Sequence, residues 1–239
     1  MKMRLDQYLA ANRQTNSRSQ AENYIKLGRV KVNGDVITKP GYLIKDSDKI
    51  ELNSDDQYVS RAGLKLASVA QALKLDFKDK IVMDVGSSTG GFTDYALQHG
   101  ARKSIAVELG SNQLHPSLLN NPKIELHEKT DILTFHTEES IDIVLIDVSF
   151  ISLRQILPKV ADLSHKNTLI VAMVKPQFEA KNSSIMHKGV IKNDKLRRQI
   201  LQDFEDWAHD KFVIKNKSDS AVSGAKGNQE RFYLLSKIS

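Results

Sequence analysis

Ile81-Val82-Met83-Asp84-Val85-Gly86-Ser87-Ser88-Thr89-Gly90-Gly91-Phe92-Thr93-Asp94 is the stretch that decides the fold. An apolar run that includes an acid reads as a buried strand, and the glycine-rich turn after it opens a helix near Phe92. Glycines at 86, 90 and 91 carry no Cβ, so the chain can turn tightly and a ligand can approach the N–H groups at the helix start. This is the layout of a nucleoside-cofactor site, with Asp84, Gly86, Ser87, Gly90, Gly91 and Phe92 as candidate cofactor-binding residues. Three residues separate Gly86 from Gly90 and position 88 is serine, so the dinucleotide spacing G-x-G-x-x-G is absent. The loop points away from NAD and towards S-adenosylmethionine. Any α/β protein also uses a glycine at such a turn, so the deciding weight falls on residues at the other strand ends.

Outward from this loop, strands and helices alternate. Apolar runs predict strands near 81–85, 103–108, 124–127, 141–147 and 168–174, and helical spacing predicts helices near 92–99, 112–120, 152–163 and 194–209. Such alternation implies a parallel, doubly wound sheet. Phe212–Lys217 and Phe232–Lys237 supply two last strands as an antiparallel addition, giving seven. Leu66, Val69, Ala70 and Leu73 mark a further amphipathic helix that begins near Ser60-Arg61 and carries Lys65. In the helix at 152–163, Pro158 implies a kink or a late start.

Strand ends in such a sheet point into the ligand crevice, so their polar residues are the ones to weigh. Glu108 closes the second strand as an acid able to accept from both ribose hydroxyls of a nucleoside cofactor. Asp131, after the third, suits an adenine amino group or a helix cap equally well. Asp147 ends the fourth strand beside the expected methyl group, and Lys175 ends the fifth, where Pro176 fixes the chain direction. A lysine after a buried strand is costly to place without partners. Methyltransferases acting on exocyclic amines carry Asn/Asp-Pro-Pro-Tyr/Phe after the fourth strand, and Asp147-Val148-Ser149-Phe150 lacks both prolines. A hydroxyl acceptor is expected instead.

The front of the chain is different in kind. From Met1 to Lys45 there are nine Lys or Arg against three Asp or Glu, a net of +6, which leaves 26 against 26 for the remainder. The whole positive excess therefore lies in a short module, as suits a polyanion. Leu5, Tyr8 and Leu9 fall on one helical face, and Ala21, Tyr24 and Ile25 on another. Arg29 to Ile37 alternates around Asn33-Gly34 as a hairpin, and 48–52 reads as a third short strand. Arg18, Lys26, Arg29 and Lys31 lie on or just after the second helix, where with Arg4 they can track phosphates. The boundaries expected are residues 1–53 for this module, 54–59 for a polar linker and 60–239 for the α/β domain.

With 40% hydrophobic residues over 239 positions, the chain can bury a sizeable core. The absence of cysteine removes disulfides, thiolate metal sites and cysteine-nucleophile mechanisms. The seven histidines form no H-x-x-x-H pair, and no metal is expected. The longest apolar run is Leu169–Val174 and the N-terminus lacks an apolar h-region, so a soluble cytoplasmic protein without membrane contact is expected.

Several ordered motifs together resemble one family. They are Tyr58-Val59-Ser60-Arg61 with Lys65, the glycine loop, Ile146-Asp147-Val148-Ser149-Phe150, Val174-Lys175-Pro176-Gln177-Phe178-Glu179, Lys188-Gly189-Val190, and Gly224 to Glu230. The chain resembles TlyA, the haemolysin-labelled family of ribosomal RNA 2′-O-methyltransferases, over nearly its whole length. Its front is similar to the S4-type RNA-binding module of ribosomal proteins and pseudouridine synthases, and its methyltransferase half to the FtsJ (RrmJ) group. The resemblance implies an α/β fold: a Rossmann-like, S-adenosylmethionine-dependent methyltransferase with a seven-stranded, mostly parallel sheet, preceded by a small α+β S4-type RNA-binding domain. It implies ribosomal RNA or a ribosomal subunit as partner. It also implies a Lys-Asp-Lys-Glu catalytic tetrad at Lys65, Asp147, Lys175 and Glu230.

That residue set suits the chemistry. A ribose 2′-hydroxyl is a poor nucleophile that must meet the sulfonium methyl in line, so positioning supplies much of the rate. Lys175 is either the base, favoured by burial and by Lys65 as a neighbouring cation, or a protonated stabiliser of the developing alkoxide. Asp147 and Glu230 orient the lysines. Family members usually carry Asp at position 108, Ala-Trp-Lys at His115-Pro116-Ser117 and Asn-Ile-Arg at Asp131-Ile132-Leu133, which bears on the adenine contacts and one basic RNA contact. The altered segments at His115 and Asp131 keep a catalytically weak RNA-binding assembly factor in view as the alternative; a membrane-lytic protein ranks last. The chain starts almost at the S4-type motif, like the shorter members associated with a large-subunit cytidine.

Overall fold

The computed structural model describes all residues except Met1, Arg13, Asn16, Ser17, Leu27, 53–57, 181–188, Lys192, 225–226 and Ser239, and of Lys2, Ser19, Gln20, Asn23 and Lys26 only the backbone. The chain divides into two compact units, Met1–Gln57 and Tyr58–Ser239. Tyr58 and Val59, read from sequence as linker, fall inside the second unit. Tyr58 is 3% exposed with its ring 5.1 Å from that of Tyr95, and the Val59 N–H donates to Asp94 Oδ2 at 2.8 Å. The rest of the expected linker, 54–57, lies outside the described residues.

The first unit runs β1 (Lys2–Arg4), α1 (Leu5–Ala11), α2 (Arg18–Lys26), β2 (Val30–Val32), β3 (Asp35–Ile37), β4 (Leu43–Lys45) and β5 (Ile50–Leu52). Leu5, Leu9, Ala21, Ile25, Val30, Val32 and Ile44 form its core, so the two helical stripes seen in sequence face each other. Asn33 and Gly34 take left-handed φ of 54° and 90°, the turn that lets β2 and β3 pair as a hairpin. β5 lies on the other side of β2, and β1 pairs with β4 in a separate two-stranded ladder that sequence patterning did not indicate. β1 and β4 are remote in sequence, with no two-residue turn joining them to mark a hairpin.

The second unit contains α3 (Arg61–Ala70), β6 (Ile81–Val85), α4 (Gly91–Gln98), β7 (Lys103–Val107), β8 (Ile124–His127), β9 (Ile143–Ile146), α5 (Leu153–Leu163), β10 (Leu169–Val174), α6 (Pro176–Glu179), α7 (Asp194–His209), β11 (Phe212–Asp219) and β12 (Arg231–Lys237). The strand order is β11-β12-β10-β9-β6-β7-β8, with β6 to β10 parallel and β12 antiparallel to both its neighbours. Central strands are buried on both faces, which is why β6, β9 and β10 read as continuous apolar runs rather than alternating ones. One face packs on α5 and α7 through residues such as Leu157, Val160 and Phe204. The other packs on α3 and α4 through Leu66, Val69, Phe92 and Tyr95.

Two expectations are corrected. No helix forms over 112–120; consecutive turns occupy it instead, with Leu118 N–H on His115 O and Leu119 N–H on Pro116 O. Asn112 takes a left-handed φ of 56°, and Pro116 has no N–H to return to the Asn112 carbonyl, so an α-helical ladder is interrupted here. Its apolar residues still bury, Leu114 and Leu118 being 6% exposed each. In α5 the helix begins at Leu153, capped by Ser152, and runs through Pro158.

Candidate active site

The glycine turn after β6 is fixed by sterics. Gly86 has a φ of +78°, and a Cβ there would lie 2.8 Å from the Asp147 carbonyl oxygen, so only glycine lets the turn lie against the end of β9. Gly90, also left-handed, is the residue from which α4 starts. Asp84 lies beneath the turn with 1% exposure, its Oδ2 accepting from the Thr93 N–H at 2.9 Å and the Thr93 hydroxyl at 2.8 Å. Burial pushes its carboxyl up to about 7 despite those two hydrogen bonds. Asp84 therefore ties strand to helix from within the core.

Glu108, just beyond β7, accepts from the Ser88 N–H at 2.9 Å and the Gly110 N–H at 2.7 Å. It thus sits against the glycine turn that sequence reasoning placed beside it. Ser87 Oγ in the same turn is buried and has no hydrogen-bond partner among the described residues, and Leu109, next to Glu108, is 71% exposed. An orphaned hydroxyl, a carboxylate at the strand end and an exposed apolar side chain match the sugar and base of an adenosyl group. Asp131 is exposed, and its Oδ1 accepts from the Leu133 N–H at 2.9 Å within a turn, with no helix after it to cap. Phe92 is corrected to a core residue. It is 1% exposed with its ring 6.0 Å from that of Phe232, because the first turn of α4 faces α3 and the sheet, so only its backbone belongs to the turn.

All four expected tetrad residues are described, and they form two ion pairs. Lys175 Nζ lies 2.5 Å from Asp147 Oδ1 and Lys65 Nζ lies 2.5 Å from Glu230 Oε2. Lys65 and Glu230 are 8% and 3% exposed. Lys65, Lys175 and Glu230 line one cleft of about 240 Å³, together with Ser149, Phe150, Phe178 and Asn228. The pairing of β9 with β10 sets Asp147 beside Lys175, since Ile146 is in register with Ala172 and both strands end at the same edge.

The Lys65 pair depends on two loops. The Ser68 hydroxyl donates to Lys65 O and accepts from the Ala221 N–H, while Arg61 Nη2 donates to Ser223 O, so α3 holds the segment before β12. On the other side, Arg197 of α7 donates to Gln229 O at 3.1 Å and to Asp219 Oδ1 at 2.6 Å, and Asp219 also accepts from Arg231. Both neighbours of Glu230 are thereby clamped.

Sequence reasoning quoted several further residues without assigning them a role. Glu179, 4% exposed, accepts from the Ser152 hydroxyl at 2.6 Å and the Leu153 N–H at 2.7 Å, joining the loop after β9 to the turn after β10. Burial pushes its carboxyl up. Phe150 has a left-handed φ of 67° and 71% exposure, with its ring 5.2 Å from that of Phe178. A strained, exposed aromatic is the signal that could have marked it, but φ is not readable from sequence. Asn228 accepts from the Ile191 N–H at 2.8 Å. Lys188 and 225–226, part of the quoted motifs, lie outside the described residues.

In the first unit, Asp6 has no exposure and pairs with Arg4 at 2.8 Å and Arg18 at 2.9 Å. The Arg4 guanidinium, with Arg18 beside it, holds the Asp6 carboxyl down at about 2. Both arginines remain about half exposed, and Lys31 is exposed on β2. The Lys26 side chain is not among those described.

A parallel sheet with an antiparallel β12 inserted between β11 and β10, a glycine turn after its first strand and an acid after its second define an S-adenosylmethionine-dependent methyltransferase. This chain belongs to the FtsJ-like methyltransferase family, whose model matches residues 58–237, and an S4 domain matches 3–50. It is 43% identical over 82% of its length to the 23S rRNA (cytidine-2′-O)-methyltransferase TlyA of Campylobacter jejuni, covering 77% of that protein. It is 38% identical over 95% of its length to Hemolysin A of Brachyspira hyodysenteriae, covering 97% of it. A solved Streptococcus thermophilus structure described as a possible hemolysin superposes with a TM-score of 0.76 at 34% identity, over 100% of this chain and 89% of that one.

Proposed function

We propose that this protein transfers a methyl group to the 2′-oxygen of a cytidine ribose in large-subunit ribosomal RNA, with Lys65, Asp147, Lys175 and Glu230 as the catalytic tetrad. The observation that carries the reading is the pair of lysine–carboxylate contacts, three of whose four residues line one cleft at the ends of β9 and β10. The name of the Campylobacter relative supports cytidine and the large subunit. Among the described residues no helix is long and apolar enough to cross a membrane.

S-adenosylmethionine, when bound, supplies an electrophilic methyl on a sulfonium. Gly86, Ser87, Gly90, Gly91 and Glu108 are the residues to hold it, with Asp84 bracing the turn from below and Asp131 at the rim. The chain's own part in the reaction is orientation and proton handling. With the donor bound, the ribose oxygen would meet the methyl in line, and Lys175 would either accept the hydroxyl proton or, protonated, stabilise the developing alkoxide. Asp147 and Glu230 each sit in ion contact with a lysine, Lys175 and Lys65, and hold those amines at the cleft. Phe150 and Phe178 give an aromatic wall on which an unstacked base can lie. Arg4, Arg18, Lys26, Arg29 and Lys31 of the first unit contact RNA phosphates.

Mass-spectrometric mapping of ribose methylation in ribosomal RNA, from cells with and without this gene, tests the reading. One 2′-O-methylcytidine in the large-subunit RNA should vanish with the gene and return with the wild-type chain. An unchanged methylation map overturns it.

A further inference from the structure

We infer that Ser149 is a positioning residue for Lys175, and that it acts by fixing which direction of the lysine amine is left open to the substrate. This rests on the methyltransferase reading above. Lys175 Nζ donates to Ser149 Oγ at 2.8 Å while lying 2.5 Å from Asp147 Oδ1. Beyond its bond to Cε, a lysine nitrogen has three tetrahedral positions. Ser149 fixes one by a directed hydrogen bond, Asp147 Oδ1 lies 2.5 Å away as an ion contact without hydrogen-bond geometry, and the cleft that Lys175 lines is open to a position left over. In the ammonium form that position carries an N–H, and in the amine form it carries the lone pair. Either way it is where the ribose hydroxyl must meet the lysine. An ion contact without hydrogen-bond geometry leaves the amine free to rotate about the Cε–Nζ bond, and the directed bond to Ser149 stops that rotation.

Ser149 is itself held in place. Its loop is anchored at one end by the Asp147 N–H on Val85 O at 3.0 Å and at the other by Glu179, which binds the Ser152 hydroxyl and the Leu153 N–H. Between these anchors Phe150 packs on Phe178, directly after the turn that carries Lys175. The hydroxyl therefore has a fixed location relative to Lys175, as a positioning group requires. Ser149 is exposed and its hydroxyl fills no core space, so removing it leaves the fold intact.

The experiment compares wild type with Ser149→Ala, Ser149→Thr and Lys175→Ala, measuring single-turnover methyl transfer to ribosomal RNA, cofactor affinity by calorimetry and thermal stability. Ser149→Ala should lower the transfer rate about 10-fold, with cofactor affinity, the RNA concentration for half-saturation and melting temperature unchanged. Ser149→Thr, which keeps the hydroxyl, should stay within about 3-fold of wild type. A second readout is independent of turnover: in nitrogen-15 spectra the Lys175 Nζ hydrogens should exchange with water faster in Ser149→Ala than in wild type. If Lys175→Ala abolishes transfer but Ser149→Ala stays within 2-fold of wild type with unchanged exchange, the positioning role is overturned and the methyltransferase reading stands. If Lys175→Ala transfers as well as wild type, both fall.

Discussion

Lys65 Nζ and Glu230 Oε2 meet 2.5 Å apart although one lies on the helix that precedes the sheet and the other just before β12, the last strand in chain order. The contact closes the second unit on itself, bringing its first helix to the antiparallel strand inserted beside β10. Because both groups are nearly inaccessible, each depends on the other for charge compensation.

Glu230→Ala leaves the Lys65 charge buried and alone. Urea denaturation should show a loss of about 3–5 kcal/mol, the usual cost of breaking a buried pair from one side. A double variant, Lys65→Met with Glu230→Leu, should recover most of that stability while methyl transfer remains absent. Recovery of transfer in the double variant would remove the pair from the catalytic machinery.

Lys175→Arg separates the two roles open to this lysine. A guanidinium keeps the positive charge but does not deprotonate. Transfer should fall at least about 100-fold, within the range expected for losing a proton acceptor. Calorimetry should give unchanged cofactor affinity. Residual activity within 10-fold of wild type would instead assign Lys175 to charge stabilisation.

Asp84 makes stability depend on pH in a definite direction. Its carboxyl is raised to about 7 by burial, so the folded state binds this proton more tightly than the unfolded state does. The contribution is complete below about 4, the ordinary carboxylate value, and is lost as pH rises through about 7. Asp84→Asn should remove this loss, on the order of a few kcal/mol between pH 5 and pH 8. Denaturant midpoints at the two pH values give the comparison, and equal slopes for variant and wild type would contradict it.

Arg18→Ala tests the RNA-facing role of the first unit. One phosphate contact fewer should reduce the slope of log affinity against log salt by about 0.7–0.9 and weaken binding for all RNA sequences alike. The Asp6 carboxyl, held at about 2, keeps its hold on the arginines down to that pH, so the effect should persist at pH 5. An unchanged salt slope in a filter-binding or anisotropy titration would show that Arg18 serves only to pair with Asp6.

Much of this was legible in the sequence, for a physical reason. Periodicity and turn chemistry are local, so the alternation from β6 onward, the helix over Asp194–His209 and the hairpin at Asn33-Gly34 could be read directly. The failures were local conflicts as well. Apolar spacing over 112–120 suggested a helix that the left-handed Asn112 and the missing Pro116 N–H interrupt, and Phe92 sits in a cofactor-loop motif although its ring belongs to the core. Sequence motifs also named Lys65, Asp147, Lys175 and Glu230 as one group.

Chain order alone determined the class of fold, the glycine turn and the identity of the residues that could carry the chemistry. Only the tertiary structure decided how they pair: Lys175 with Asp147 through the register of β9 and β10, and Lys65 with Glu230 through the insertion of β12. Ser149 and the clamp of Arg197 and Asp219 around Glu230 belong to the same category. Their roles arise from distances between segments remote in sequence, which packing sets and no local pattern encodes.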